Sequence, residues 1–233
     1  MSTAPATSFE SAWAQFQALD SLQLSGEPSA FARGRAQNLA FLVRIEDKAA
    51  CEHLGRVAEQ IARIPGVEPF PSWFFHATVK LAGFQVIRRT HDDDVLRQDV
   101  PRIATKVRDV LSHQAAFQLE LGLMNSFRSG VFMELRDGGA MRKLNGLLMD
   151  SVPELPRYPI DAAGFLPHVS LARFTSNEGL VQLKAALAEL RTQGPGPSFT
   201  VGRVEFVRVW LSDEPSEFDT LASYQLAPAR VTG

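Results

Sequence analysis

The sequence predicts a mixed α/β (α+β) fold. It should be bilobed and internally duplicated, with two antiparallel-containing sheets lining a central cleft and helices outside. Three observations predict it. From Leu39 onward, strand-like and helix-like stretches alternate. The order strand, helix, strand, helix, strand then occurs twice. Finally, the middle strand of each pass carries a histidine followed two residues later by a hydroxyl residue, in "HATV" from His76 and "HVSL" from His168.

Each element follows from its periodicity. "NLAFLVRIED" alternates, which puts Leu39, Phe41, Val43 and Ile45 on one face of a strand. "KAACEHLGRVAEQIARI" has helical spacing, with Cys51, Leu54, Ala58 and Ile61 on one stripe and a stop at "PG". The first histidine strand follows, then the helix "VPRIATKVRDVLSHQ" and the strand "AFQLELGLM". The second pass opens on "SGVFMELRD", a strand with Val131, Met133 and Leu135 on one face. The helix "GAMRKLNGLLMDSV" ends near Pro153, and a proline-rich loop, "PELPRYPIDAAG", leads to the second histidine strand. The helix "NEGLVQLKAALAELRT", one long strand "FTVGRVEFVRVWL" and a short "ASYQLAP" complete it. Leu39 lies 37 residues before His76, and Val131 lies 37 before His168. Residues 1–35 read as an N-terminal extension, a short capped helix in "SFESAWAQFQAL" plus a linker. Residues 36–233 read as one bilobed domain.

Composition narrows the function classes. Of 233 residues, 45% are hydrophobic and 21% charged, as in soluble globular proteins. A net charge of −2 supplies no global attraction to a polyanion, so any phosphate site must be local. The single cysteine, Cys51, excludes an internal disulfide and a cysteine metal cluster, and its helical position suits a core thiol. No apolar run approaches the roughly 20 residues of a membrane span. The N-terminus lacks the basic and apolar regions of a secretory signal. A cytoplasmic monomer is the expectation.

Parity decides where the motif residues point. Side chains alternate along a strand. Trp73, Phe75, Ala77, Val79 and Leu81 form an apolar face; Phe74, His76, Thr78 and Lys80 lie opposite. In the second strand Phe165, Pro167, Val169 and Leu171 are the apolar face, and His168 and Ser170 lie opposite. Both pairs therefore point away from the core. Arg173 falls on the apolar parity unless the strand bends. Chance places such a motif at roughly a few per cent of histidines in a chain of ordinary composition. A matched pair among five histidines is far rarer.

Two imidazoles facing one groove suit general acid–base catalysis, because histidine titrates near 6.5. Hydroxyls on the same face can donate to a bound anion. A phosphodiester fits, since in-line displacement needs a base on one side and an acid on the other. Lys80 or Arg173 would add positive charge; Phe74 and Phe84 flank the first motif, where a base could stack, although packing is the commoner role of a strand phenylalanine. No metal or cofactor is called for. "RRTHDDD" reads as a solvated loop, because contiguous acids cannot all converge on one ion.

With both motifs in view, the chain resembles the 2H phosphoesterase superfamily, and within it the bacterial 2′-5′ RNA ligase and RNA 2′,3′-cyclic phosphodiesterase group. "HATV" and "PHVSLAR" carry the resemblance, which covers roughly residues 38–228. It implies metal-independent cleavage of cyclic phosphates or 2′-5′ linkages. His76 and His168 would be the catalytic pair, with Thr78 and Ser170 binding phosphate. The partner would be an RNA end, a small cyclic nucleotide or an oligonucleotide. A binding module with this fold and little turnover is the alternative; intact histidines and hydroxyls in both halves favour the enzyme.

Overall fold

The computed structural model describes residues 7–26, 31–161, 164–211 and 215–228. Helix α1 (Phe9–Gln17) precedes the first pass: β1 (Gln37–Arg44), α2 (Lys48–Ile61), β2 (Val67–Pro69), β3 (His76–Val86), β4 (Asp94–Leu96), α3 (Val100–Leu111) and β5 (Phe117–Phe127). The second comprises β6 (Gly130–Arg136), α4 (Ala140–Ser151), β7 (His168–Phe174), α5 (Leu180–Arg191), β8 (Ser198–Val201), β9 (Arg203–Trp210) and β10 (Asp219–Gln225). Among the described residues, no helix is long and apolar enough to cross a membrane.

The sheet order β10-β9-β1-β3-β7-β6-β5-β8 reads as two four-stranded halves, with β4 on β3 and β2 on β7. The halves form one continuous curled sheet, joined at the single register pair Ala77–Val169. The last main strand of each pass crosses to the other half: β5 pairs with β6, and β9 with β1. "FTVGRVEFVRVWL" is accordingly two strands and not one. It breaks at Gly202, because β8 pairs with β5 in one half and β9 with β1 in the other. The equal 37-residue intervals compare positions that are not equivalent. Arg44 is the register partner of His76 and Glu134 of His168, whereas Leu39 faces Gly83 and Val131 faces Ala172.

One face of the sheet is covered by helices. Leu39, Phe41, Val43 and Ile45 are buried there, as are Val131, Met133 and Leu135. Leu54, Ala58 and Ile61 of α2 pack onto them; full burial of a side chain the size of leucine or isoleucine contributes about 1.5–3 kcal/mol. Cys51 is partly buried, and its Sγ lies 3.1 Å from the Ile45 carbonyl as donor. Ser8 and Ser11 form a reciprocal cap on α1, and Lys184 donates to the carbonyls of Gln17 and Leu19 at its other end. Phe16 and Leu22 from this segment sit in the same core.

The groove face is shaped by two bulges, one just beyond each motif. On β3, Leu42 faces Thr78 and Phe41 faces Lys80, so Val79 is an extra residue. On β7, Phe132 faces Ser170 and Val131 faces Ala172, so Leu171 is extra. One inserted residue reverses the alternation beyond it. Val79 and Lys80 therefore both turn toward the helices, as do Leu171 and Ala172. Arg173 is returned to the groove face.

Candidate active site

The joint between the half-sheets brings the motifs together. Antiparallel register through Ala77 and Val169 sets His76 opposite Ser170 and Thr78 opposite His168. Each hydroxyl thus faces the histidine of the other half. Among the described residues, neither hydroxyl has a hydrogen-bond partner, which leaves both for a bound group. The imidazoles are anchored alike. Nδ1 of His76 is 2.6 Å from the carbonyl of Phe74, and Nδ1 of His168 is 2.7 Å from that of Leu166, two residues back in each case. A carbonyl only accepts, so Nδ1 carries the proton and Nε2 of the neutral ring is left as the proton-transfer atom.

Aromatic rings clasp both histidines. Phe74 and Phe218 meet the His76 ring edge-on at 4.9 and 4.7 Å between centroids. Phe127 and Phe132 meet the His168 ring at 5.2 and 5.1 Å. Burial among these rings disfavours the imidazolium and pushes the His76 pKa down to about 4, with His168 and Arg44 adding positive charge nearby and the Phe74 carbonyl opposing. Burial also lowers the His168 pKa, opposed by the Leu166 carbonyl.

A stability prediction follows. Both pKa values lie below the unfolded value near 6.5, so in that window the unfolded chain binds more protons than the folded one. Stability is greatest above 6.5 and falls as pH drops through 6.5 toward 4, by up to about 3 kcal/mol from His76 alone. Urea unfolding of the parent and of His76→Gln at pH 7.5 and 5 checks this. The variant should lose less stability on acidification; equal loss would mean the His76 ring does not stay neutral in the fold.

Two residues expected at the site lie elsewhere. Lys80 is fully buried on the helix side: its Nζ donates to Asp161 Oδ2 at 2.7 Å and to the Pro156 carbonyl at 2.6 Å. The bulge at Val79 reverses its parity, so it cannot meet substrate. Phe84 is buried beneath the Arg35 guanidinium, 3.6 Å from its ring centroid, and beside Phe31. It offers no face for a base. Phe74 does line the site, on a 3₁₀ turn just before β3, but Phe218 stacks on it at 5.2 Å. Trp73, from the same turn, is not on the core face and is 47% exposed. The "HDDD" segment is not solvated throughout. Asp93 and Asp94 are buried and both take Nη1 of Arg35, at 2.5 and 2.7 Å, and Arg33 adds a bond to Asp93. Burial raises the Asp94 pKa, but Arg35 and the Thr90 and His91 amides outweigh it and hold it at about 2. Among the described residues, no group of three or more His, Cys, Asp or Glu side chains is placed to hold a metal ion.

Other residues at the site escape sequence reasoning. Arg44 stands across from His76, its Nε donating to Glu205 at 2.7 Å and its Nη2 to Thr220 at 3.2 Å. Glu68 of β2 stands across from Arg173 and accepts a two-pronged bond from it, at 2.7 and 2.9 Å. Phe127, Phe132 and Phe218 reach the histidines across strands. None belongs to a motif; the one available signal is that Arg44 is a charged residue ending the apolar run 39–43 of β1.

Two neutral imidazoles with their Nε2 atoms unanchored, and two hydroxyls each opposite one of them, form a site able to move a proton on either side of one oxyanion. No curated protein matches the chain by sequence. By fold it is similar to TT0787 of Thermus thermophilus, at 17% identity and a TM-score of 0.61 over 83% of this chain and 100% of that one. It is similar to Escherichia coli LigT complexed with 3′-AMP, at 17% identity and a TM-score of 0.58 over 82% and 99%. It is also similar to ATU0111, a conserved protein of unknown function from Agrobacterium tumefaciens, at 16% identity and a TM-score of 0.60 over 88% and 94%. The family model for the 2′-5′ RNA ligase superfamily matches residues 48–209, which span both histidine motifs and most of both passes, and the chain belongs to that superfamily.

Proposed function

We propose that the protein hydrolyses 2′,3′-cyclic phosphates of RNA ends or nucleotides, or 2′-5′ linkages, without a metal ion. The observation that carries this reading is the paired arrangement at the sheet joint: two Nδ1-anchored imidazoles, each opposite the other half's hydroxyl. The phosphodiester sits between the rings. Nε2 of one imidazole takes a proton from the attacking water as its oxygen bonds to phosphorus. The other imidazole, as the imidazolium, gives a proton to the ribose oxygen as its bond to phosphorus breaks. The product is a phosphomonoester with a free ribose hydroxyl. Burial keeps both rings neutral in the empty site, and the negative charge of the bound diester favours protonating one of them. Thr78 and Ser170 donate to the non-bridging oxygens. LigT is known in complexes with 3′-AMP and with phosphate, which accords with a nucleotide site in this fold.

The test is incubation in EDTA with 2′,3′-cyclic nucleotides, cyclic-phosphate-ended RNA and 2′-5′ dinucleotides, with products identified. Turnover in EDTA supports the reading. Loss on chelation, restored by a divalent ion, overturns it, and tight binding with no turnover supports the binding module. The hydroxyls should matter less than the histidines. Thr78→Val and Ser170→Ala each remove one bond to a charged group, about 10–100-fold in kcat/KM, and Thr78→Ser is nearly silent. A phospho-enzyme trapped on Thr78 or Ser170 would instead make that hydroxyl a nucleophile, with the facing histidine as its base.

A further inference from the structure

We infer that α1, the helix of the N-terminal extension, is a working part of the active site: through Phe9 and Ala12 it braces the groups that hold the His168 ring, and Phe9 is a positioning residue for proton transfer at that histidine. This deepens, and rests on, the phosphodiester reading above.

Helix α1 presents two faces. Trp13 and Phe16 pack into the core that the helices cover. Phe9 and Ala12, three residues apart and so neighbours on the helix surface, join a separate cluster with Phe127, Phe132 and Leu166. That cluster lies on the groove side, since Phe127 and Phe132 meet the His168 ring. The Phe9 and Phe132 rings are 6.4 Å apart, within the range of an aromatic pair, and Phe132 stacks on Phe127 at 4.2 Å. Leu166 supplies the carbonyl, 2.7 Å away, to which Nδ1 of His168 donates. Helix α1 therefore packs against both holds on the ring, the aromatic clasp and the residue that anchors Nδ1.

The helix is pinned where it stands. The buried Asn125 donates from Nδ2 to the Phe9 carbonyl at 2.9 Å and to Glu134 Oε1 at 2.8 Å. The Arg191 guanidinium lies 4.5 Å from the Trp13 ring centroid, and its Nη1 donates to the same Glu134 oxygen at 2.9 Å. Glu134 is the register partner of His168, so the amide that holds α1 also holds the strand beside the histidine. Farther on, the Leu22 amide donates to Asn177 at 2.6 Å and the Gln23 amide to the Arg128 carbonyl at 2.9 Å. Among the described residues, the charged or titratable groups facing His168 are Glu134 of β6, paired with Arg191 of α5, and His76 of β3. Glu10, the one titratable residue of α1, is exposed. Helix α1 thus acts on His168 by fixing rings and excluding water, and not by charge. The clasp of His76 is built from Phe74 and Phe218, which belong to a different cluster, so His76 is the internal control.

Imidazole titration by NMR in the unliganded protein reads the effect without requiring turnover, with signals assigned through His76→Gln and His168→Gln. Phe9→Ala removes the ring that packs on Phe132. It should admit water to the clasp and raise the His168 pKa toward 6.5, since burial is what lowers it, while the His76 titration stays put. On the best phosphodiester, kcat should fall about tenfold with KM little changed, less than the roughly 10²-fold that a misplacement of about 1 Å can cost. Phe9→Leu keeps the apolar cover and should lie near the parent. Phe9→Val is a smaller cut, made in case Phe9→Ala fails to fold, and should move both readouts in the same direction. Phe16→Leu, on the other face of α1, should lower stability without moving the His168 titration or kcat. If the Phe9 truncations leave the His168 titration unmoved, or shift both histidines alike, or if Phe16→Leu shifts His168 as much, α1 only fastens the fold and the inference is wrong. Parent turnover on the substrate panel decides the phosphodiester reading separately. A parent that turns over with the His168 titration unmoved by Phe9→Ala refutes this inference alone. A parent that never turns over, yet shows the selective His168 shift, refutes only the hydrolase.

Discussion

His76→Ala and His168→Ala should each lower kcat on the best phosphodiester by about 10²–10⁴-fold, the usual worth of one positioned acid or base. The two losses should not add. Once either proton transfer is gone the concerted step is gone, so the double variant should be little slower than the worse single one. The fold should survive, because both rings stand on the groove face, outside the main core that the helices cover. Thermal unfolding and near-UV circular dichroism of each variant check that condition, and steady-state kinetics in EDTA measure the loss. A variant that keeps parental kcat shows that its histidine does not transfer a proton in the slow step. A variant that raises KM with kcat unchanged shows a binding role only.

Lys80→Met should be the most destabilising single change near the motifs, at about 3–5 kcal/mol, because it leaves a buried carboxylate without its cation. The Lys80 ammonium is fully buried, and burial lowers its pKa against the pull of Asp161. Asp161 in turn accepts from Asn145 Nδ2 at 3.0 Å and from the Tyr158 amide at 2.8 Å. Asn145 also donates to the Val79 carbonyl at 2.9 Å, at the bulge itself. The network therefore ties the proline-rich loop and α4 to the strand that carries His76 and Thr78. Urea unfolding measures the effect, and the double variant Lys80→Met, Asp161→Leu should recover much of the loss, since removing both charges removes the stranded one. If Lys80→Met unfolds at the parental urea concentration, the pair is not desolvated. If the double variant is as unstable as the single one, hydrogen bonding and not charge holds the loop.

The motif residues are legible because they depend on parity and composition over a few residues. The pair "HATV" and "HVSL" set His76, Thr78, His168 and Ser170 on a non-core face by alternation alone, and the structure places them on the groove side of β3 and β7. Beyond the motifs the same rule fails twice and in opposite directions. Alternation assigns Lys80 to the groove, yet it is buried; it assigns Arg173 to the core, yet that side chain faces the groove. One cause serves for both: a bulge is a property of two strands in register, not of one strand's sequence. Phe84 is misplaced for a related reason, since its covering groups, Phe31 and Arg35, come from a distant stretch that reads as a linker.

By itself the sequence determined the alternation of the main strands and helices, the duplication, the apolar faces of β1, β6 and α2, and the two histidines with their hydroxyls. These are local, being written in periods of two and of 3.6 residues that any short window displays. Tertiary structure alone decided that the closing strand of each pass joins the other half, that Ala77 meets Val169, and that Thr78 therefore faces His168 and Ser170 faces His76. It also decided that Lys80 belongs to the fold and not to the groove. Those outcomes depend on long-range register and on burial of charge, where a partner far along the chain fixes the position. Asp161 draws Lys80 inward, because a charge taken out of water is stable there only beside its opposite.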